Sequence, residues 1–214
     1  MKSFLFSLLV VSGLSSLAGS ANAQSTVYTD QSSFLEQVQS GYYLENFNSR
    51  TPGNVPGPVS FSGGDFRYEI STDTTTRVFF TRPNDVAVST IRTADSLTVT
   101  FTSNNITAIG GNFFLIDFND APSDGKVTVK LSDGTKESFN STTLNLPFRG
   151  FISKTPIVSL TMPALPDSGR YVAIDNLIVG RSLVSAPGVP APSSAAVFFG
   201  LAGLGSVFLV RRRR

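Results

Sequence analysis

The chain has 214 residues, of which 17 are basic and 15 acidic, and it contains no histidine, cysteine or tryptophan. The lack of histidine excludes Ser-His-Asp and Cys-His catalysis and His-ligated zinc, copper or iron sites, and the lack of cysteine excludes disulfides. Catalysis is left to carboxylates, tyrosine, lysine and serine. Metal binding is left to oxygen ligands, which suit Ca²⁺ or Mg²⁺.

Residues 1–23 are predicted to be a signal peptide. Lys2 is followed by an apolar stretch from Phe4 to Leu17, and Ala21-Asn22-Ala23 fits the small-x-small pattern of a cleavage site. Cleavage there makes Gln24 the first residue of an exported protein. The alternative is an uncleaved N-terminal anchor.

The charge of the predicted mature region differs from that of the whole chain. Gln24 to Gly188 holds 12 basic and 15 acidic residues, a formal charge of −3, whereas the whole chain carries +2. The other five basic residues are Lys2 and the four C-terminal arginines. We therefore expect no nucleic-acid partner, because the basicity belongs to the two ends of the chain.

A strand and a short helix are predicted at the start of the mature region. Thr26 to Tyr28 has the composition of a short strand. Ser33 and Glu36 have the spacing of a capping box, and with the apolar stripe that follows they predict a helix from about Gln31 to Gln39.

The chain after this helix is predicted to be β. The run from Ser96 to Thr102 alternates apolar and polar residues, as a strand with one buried face does, and the continuously apolar run from Ile106 to Phe118 is typical of a strand buried on both faces. Short strands at about 8–12 residue spacing predict an all-β fold, an antiparallel β-sandwich over residues 24–181. The other predicted strands are Tyr42–Phe47, Val59–Phe61, Phe66–Ile70, Val78–Thr81, Asp85–Ser89, Lys126–Leu131, Ser138–Leu144, Phe148–Ile152, Ile157–Met162 and Tyr171–Val179.

A linker over residues 182–192 leads to a hydrophobic segment and a cationic end. The 18 uncharged residues from Ser193 to Val210 approach the roughly 17–25 that a transmembrane helix needs. Cationic flanks stay on the cytoplasmic side, so the β-domain is expected outside the cell membrane. The linker ends in the motif Val189, Pro190, Ala191 and Pro192, and the cationic cluster is Arg211, Arg212, Arg213 and Arg214.

This tail resembles the PEP-CTERM sorting signal, which has a Val-Pro-x-Pro motif, an apolar span and a terminal arginine cluster. The family has glutamate between the two prolines, where Ala191 stands in this chain. The resemblance implies a bacterial protein that is handled by an exosortase-type membrane protease and delivered to the cell surface or the exopolysaccharide layer. It covers only Val189 to Arg214 and implies localisation, not activity.

The body of the chain resembles exported jelly-roll domains that are common on PEP-CTERM proteins. The similar segments are Tyr28–Phe34, Leu44–Phe47 and Tyr171–Leu177. The resemblance implies a jelly-roll-like form of the sandwich. Well-known jelly rolls include carbohydrate-binding modules with a structural Ca²⁺, which makes calcium a possible cofactor.

The same resemblance suggests where calcium would bind. The first and last strands of a jelly roll commonly pair, which would place Glu45 beside Asp175, with oxygen ligands from the turn at Gly63-Gly64-Asp65. The alternative is that Asp175 terminates a strand and Glu45 is a solvated charge at a sheet edge.

The densest acidic segment is predicted to be a turn. Asp117, Asp120 and Asp124 lack the spacing of an EF-hand loop, and Asp side chains in such loops commonly accept hydrogen bonds from their own backbone.

The sequence constrains the function of this protein less than it constrains the fold. Tyr42, Tyr43, Tyr68 and Tyr171 offer aromatic faces for stacking on sugar rings. We expect a non-enzymatic, surface-sorted protein that acts in adhesion, matrix structure or exopolysaccharide binding. The alternative is a carboxylate-dependent glycan hydrolase or lyase, which needs two carboxylates about 5–9.5 Å apart across a cleft.

Overall fold

The structure is a computed structural model that describes residues 24–81 and 85–183. The fifteen strands of these residues form two antiparallel β-sheets. A single short helix, α1 (Gln31–Leu35), accompanies them in these residues. The strands are β1 (Thr26–Tyr28), β2 (Tyr43–Glu45), β3 (Gly53–Pro56), β4 (Val59–Gly63), β5 (Phe66–Thr72), β6 (Arg77–Phe80), β7 (Val88–Ser89), β8 (Leu97–Phe101), β9 (Ala108–Ile116), β10 (Pro122–Ser123), β11 (Gly125–Leu131), β12 (Lys136–Ser141), β13 (Phe148–Ile152), β14 (Ser159–Met162) and β15 (Tyr171–Gly180).

The two sheets differ in size. The nine-stranded sheet has the order β1-β13-β9-β15-β7-β6-β3, with β10 paired to β9 and β2 paired to β15. The six-stranded sheet has the order β12-β11-β14-β8-β5-β4. This arrangement confirms the predicted all-β sandwich with one short N-terminal helix.

The main core lies between the sheets and is rich in aromatic rings. β8 buries Leu97, Val99 and Phe101 and leaves the two threonines between them more exposed, as its alternating sequence predicts. The Phe101 ring meets the ring of Tyr68, which stacks on Phe61 with 5.1 Å between ring centroids. Burial of each large side chain contributes about 1.5–3 kcal/mol to stability.

The central strands β9 and β15 are buried on both faces. Their pairing runs from Tyr171 opposite Ile116 to Gly180 opposite Ala108, with a bulge between Asp175 and Ile178. One face of each strand enters the main core, and the other face is covered by two smaller apolar clusters. The prediction of a strand buried on both faces is thereby confirmed for Ala108–Ile116, because a strand with no solvent-facing side needs no polar alternation. It does not hold for Phe118, which is 77 % exposed.

Helix α1 covers one end of the outer face of the nine-stranded sheet, the face turned away from the main core. Its Phe34 packs with Val38 and Ile178. Gly110 and Gly150 lie opposite each other on β9 and β13 beneath the Phe34 ring. A Cβ atom at Gly110 would stand 2.8 Å from Phe34 Cε1, and one at Gly150 would stand 2.6 Å from Phe34 Cγ. The two glycines therefore make the room that the ring occupies.

The helix begins at Gln31, as predicted, but its N-cap residue and its end differ from the sequence-based prediction. Asp30, and not Ser33, is the N-cap: it is extended, and its Oδ1 accepts the Ser33 N–H at 2.8 Å. This bond and those from the hydroxyls of Ser32 and Ser33 lower the pKa of Asp30 to about 2. The helix ends at Leu35, short of the predicted Gln39, because the Gln39 N–H donates to the Arg181 carbonyl and turns the backbone toward the end of β15.

The predicted signal peptide, sorting motif, transmembrane helix and arginine cluster lie outside the described residues. They are residues 1–23, Val189 to Pro192, Ser193 to Val210 and Arg211 to Arg214. Within residues 24–81 and 85–183, no helix has the length and apolar character needed to cross a membrane.

Replacing Gly110 with alanine is expected to lower the free energy of unfolding by about 1–3 kcal/mol, because the added methyl group overlaps the Phe34 ring. In a Phe34→Ala background the same substitution should cost less, since the overlap with Phe34 is gone and the overlap with Phe148 Cζ, 2.9 Å from the added Cβ, remains. Urea unfolding of the four proteins measures both costs. Equal costs in the two backgrounds would show that Phe34 does not pack over Gly110.

Candidate functional site

Glu45 lies on a strand beside β15, as the predicted pairing requires. β2 pairs with β15, and Glu45 is opposite Leu177. The Tyr43 hydroxyl donates to Glu45 Oε2, and the Phe47 N–H donates to Glu45 Oε1 at 2.9 Å. Burial and the bond to Glu45 raise the pKa of Tyr43 to about 12. Both oxygens of Glu45 are therefore engaged by the protein.

Asp65, the third predicted calcium ligand, forms an ion pair with Arg181. Its Oδ2 pairs with Arg181 Nη2 at 3.0 Å on an exposed turn. In the part of the chain that the structure describes, no three acidic side chains lie close enough together to hold a metal ion jointly. The structure thus gives Glu45, Asp65 and Asp175 separate hydrogen-bond and ion-pair partners.

Asp175 is a buried carboxyl at the bulge of β15. It is 1 % exposed, its Oδ1 accepts the Asn176 N–H at 2.6 Å, and its Oδ2 accepts from Asn176 Nδ2 at 2.9 Å. Asn176 has a φ of 50°, a left-handed conformation that asparagine tolerates. Burial raises the pKa of Asp175 to about 7, with a further contribution from the charge of Asp85, while the Asn176 N–H acts in the opposite direction.

The acidic loop after β9 is a turn, as predicted. Asp117 Oδ1 accepts the Asn119 N–H at 2.8 Å and the Ala121 N–H at 3.0 Å. These bonds lower the pKa of Asp117. Asp124 Oδ1 accepts the Thr143 N–H at 2.9 Å in the same region.

The four tyrosines do not form one face. Tyr68 is fully buried in the main core, and its ring lies 6.1 Å from that of Tyr43. Tyr42 packs near Gly180 at the end of β15, whereas Tyr171 begins that strand. Because β15 has ten residues, Tyr42 and Tyr171 lie at opposite ends of the sheet.

Tyr171 lines a cleft on the outer face of the nine-stranded sheet, with a volume of about 240 Å³. Two pairs of opposed residues contribute to it: Asn54 with Phe79 on β3 and β6, and Ile116 with Tyr171 on β9 and β15. Phe79 lies between two core residues of β6, so its side chain points away from the core. We call this site the outer cleft; it is lined by Asn54, Phe79, Thr90, Ile91, Ile116, Asp117, Phe118, Asp120 and Tyr171.

The outer cleft has a buried floor and an exposed aromatic rim. Thr90 and Ile116 are each 2 % exposed, whereas Phe118 is 77 % exposed. Thr90 Oγ1 has no hydrogen-bond partner among the described residues. This oxygen is itself buried, so it is not among the polar atoms that the cleft exposes.

Sequence reasoning singled out three of the lining residues, Tyr171, Asp117 and Asp120, but not the cleft. The remaining side chains come from β3, β6, β9, the turn after β9 and the segment after β7, which no local pattern connects. One sequence feature could have indicated the cleft: Phe118 is a large aromatic residue two positions after a buried strand, inside an acidic turn.

No protein-family model, curated protein or solved structure matches this chain. The functional argument therefore depends on the chain's own residues.

The raised pKa of Asp175 predicts a pH-dependent stability. The folded pKa of about 7 exceeds the ordinary aspartate pKa of 3.8, so this carboxyl's contribution to stability is complete below about pH 4 and is lost as the pH rises through 7. Asp175→Asn removes the buried charge. Its stability relative to wild type should therefore increase between pH 4 and pH 8, by on the order of 2–4 kcal/mol. Urea unfolding at intervals of one pH unit measures the difference, and a difference that stays constant with pH would contradict it.

Proposed function

We propose that this chain is an exported, surface-sorted bacterial protein whose jelly-roll-like β-sandwich binds an extracellular polysaccharide without cleaving it. The observation that carries the proposal is the outer cleft, where the aromatic side chains Phe79, Phe118 and Tyr171 meet polar groups on a sheet of nine strands. Aromatic surface supplies area for an apolar sugar face, and a few fixed polar groups orient it.

The targeting signals predicted at the two ends of the chain support the proposed location at the cell surface. A signal peptide over residues 1–23 and a PEP-CTERM-like tail from Val189 to Arg214 would export the chain and hold it initially by the helix Ser193–Val210. An exosortase-type membrane protease is the proposed processing partner. In this arrangement the sandwich faces the exopolysaccharide, where a binding cleft would act in adhesion or matrix assembly.

A glycan hydrolase or lyase is the second candidate, and one observation favours it: Asp117 and Asp120 line the same cleft. A general acid in a glycosidase needs a raised pKa so that it carries a proton at neutral pH. The backbone N–H groups of Asn119 and Ala121 lower the pKa of Asp117 instead. Because the pKa of Asp117 is lowered and not raised, polysaccharide binding is the better-supported proposal.

Calcium binding at Glu45, Asp65 and Asp175 stays a prediction. Any Ca²⁺ that used these carboxylates would compete with the Tyr43 hydroxyl, Arg181 and Asn176 for their oxygens. A calcium site would therefore need rearrangement of the bonds present in this structure.

The purified full chain, in detergent micelles, is expected to bind at least one polysaccharide on a glycan array. Phe118→Ala should weaken that binding at least tenfold, because it removes an exposed ring from the cleft rim. Leu144→Ala is the matched control: Leu144 is 96 % exposed but does not line the cleft.

Three outcomes would count against this proposal. No binding to any polysaccharide would exclude the function, and equal losses in the two variants would remove the outer cleft from it. New reducing or unsaturated ends released from a bound polysaccharide, and lost in Asp117→Asn, would establish the enzyme instead.

A further inference from the structure

The large apolar side chains that stay exposed are unevenly distributed over the described residues. Four of the six lie at the end of the sandwich where β15 finishes at Gly180 and β9 begins at Ala108, which we call the exit end. Phe118 and Leu144 lie at the opposite end, where β9 finishes. The four at the exit end are Tyr42, Leu44, Val158 and Leu183, which are 40, 46, 56 and 57 % exposed.

Three of the four belong to the nine-stranded sheet or to the chain that leaves it. Leu44 is opposite Ile178, which packs on the outer face. Tyr42 lies beside the last residue of β15, because a Cβ atom at Gly180 would stand 3.1 Å from Tyr42 Cβ. Leu183 comes three residues after the end of β15. All three therefore lie where β15 ends.

Val158 belongs to the six-stranded sheet. It directly precedes β14, and its carbonyl accepts the Phe101 N–H at 3.0 Å. Its neighbour Ile157 donates its N–H to the Ile106 carbonyl at 2.8 Å, two residues before β9 begins. Both sheets therefore contribute exposed apolar side chains to the exit end.

The described chain also starts and finishes at the exit end. Ser25 donates its N–H to Thr135 Oγ1 at 2.8 Å, in the turn between β11 and β12. That turn begins at Ser132, whose N–H donates to the Ser159 carbonyl at 3.1 Å, next to Val158. At the other terminus the described chain finishes just after β15. The predicted signal peptide and the predicted transmembrane helix therefore both connect to the end that carries the four apolar side chains.

The distance between the sandwich and the membrane is limited by the length of the linker. Nine residues, 184–192, separate Leu183 from Ser193, where the predicted transmembrane helix begins. Nine residues of chain reach about 30 Å when fully extended. In the anchored protein the exit end therefore stays close to the bilayer, at an effective concentration on the order of millimolar. Even a weak affinity for lipid is then sufficient for contact.

We propose that the exit end rests on the surface of the bilayer that anchors the chain, with the four apolar side chains in the interfacial layer. Apolar side chains gain free energy when they leave water, and tyrosine is favoured where lipid headgroups meet water. β15 has ten residues and is about 30 Å long, so the outer cleft lies on the side away from the membrane. The proposal rests on the export and anchoring in the proposed function, and it does not depend on polysaccharide binding.

A second copy of the chain fits this surface less well than a bilayer does. The four apolar side chains come from two sheets and share the exit end with the exposed polar residues Ser40, Asp65 and Lys154. A stable protein dimer needs a contiguous interface that buries about 800 Å² on each partner. A lipid interface is fluid, so it accepts separate apolar side chains while the polar ones between them stay hydrated.

The test uses the full chain reconstituted in phosphatidylcholine vesicles, with a fluorescent label on one introduced cysteine. The chain has no cysteine of its own, so the label has a single site. Ser40→Cys carries the label at the exit end and Thr143→Cys carries it at the opposite end, and both positions are exposed. Phosphatidylcholine with a nitroxide at the top of its acyl chain should quench the Ser40→Cys label several-fold more than the Thr143→Cys label.

Because the linker alone keeps the exit end near the lipid, a matched pair of double variants separates contact from proximity. Val158→Ser with Leu183→Ser should reduce the quenching of the exit-end label at least twofold, since it removes the two most exposed apolar side chains of that end. Phe118→Ser with Leu144→Ser removes two exposed apolar side chains from the opposite end and should leave the quenching unchanged.

Equal quenching of the two labels, or quenching that Val158→Ser with Leu183→Ser leaves unchanged, would overturn the proposal. Shielding of the exit-end label from a water-soluble quencher that grows with protein density, without quenching by the lipid nitroxide, would assign this surface to a second copy instead. A chain that does not float with the vesicles on a density gradient would overturn the predicted anchor and the proposal together. Lipid contact by a protein that binds no polysaccharide on the array would leave the proposal standing and remove only the binding function.

Discussion

The pairing of β9 with β15 is the constraint on which the rest of the structure depends. Both strands are buried on both faces, so they must find apolar partners on two sides at once. The six-stranded sheet covers the inner side through the aromatic core. On the outer side, α1 and the surrounding loops cover a narrower strip, and the strands that flank the pair extend the sheet outward.

The outer face is divided along the β9–β15 pair. At one end Ile178 and Gly110 lie under Phe34 of α1. At the other end Ile116 and Tyr171 contribute to the outer cleft. Between the two ends lies Asp175, a carboxyl with a raised pKa at the bulge. The same backbone pairing therefore supports a closed apolar contact, a titratable group and an open cleft.

The sequence was informative where a local pattern decides the structure. Period-two alternation located β8, the continuous apolar run located β9, and the strand spacing indicated a sandwich. The N-cap was misassigned, because Asp30 and Ser33 both precede apolar residues and only backbone geometry distinguishes them. The outer cleft was missed for a related reason. Phe79 and Ile116 look like ordinary strand residues, and only the strand order brings Asn54, Thr90 and the acidic turn next to them.

Residue-resolved amide hydrogen exchange tests the central claim, that the doubly buried β9–β15 pair is the rigid element under the cleft. The account predicts that the paired amides of β9 and β15, up to the cleft floor at Ile116, exchange only by global unfolding. Amides of the rim turn at Phe118 and Asn119 should exchange orders of magnitude faster. Floor amides that exchange as fast as those of the rim, or as fast as those of the short outer strands β2 and β3, would contradict the account.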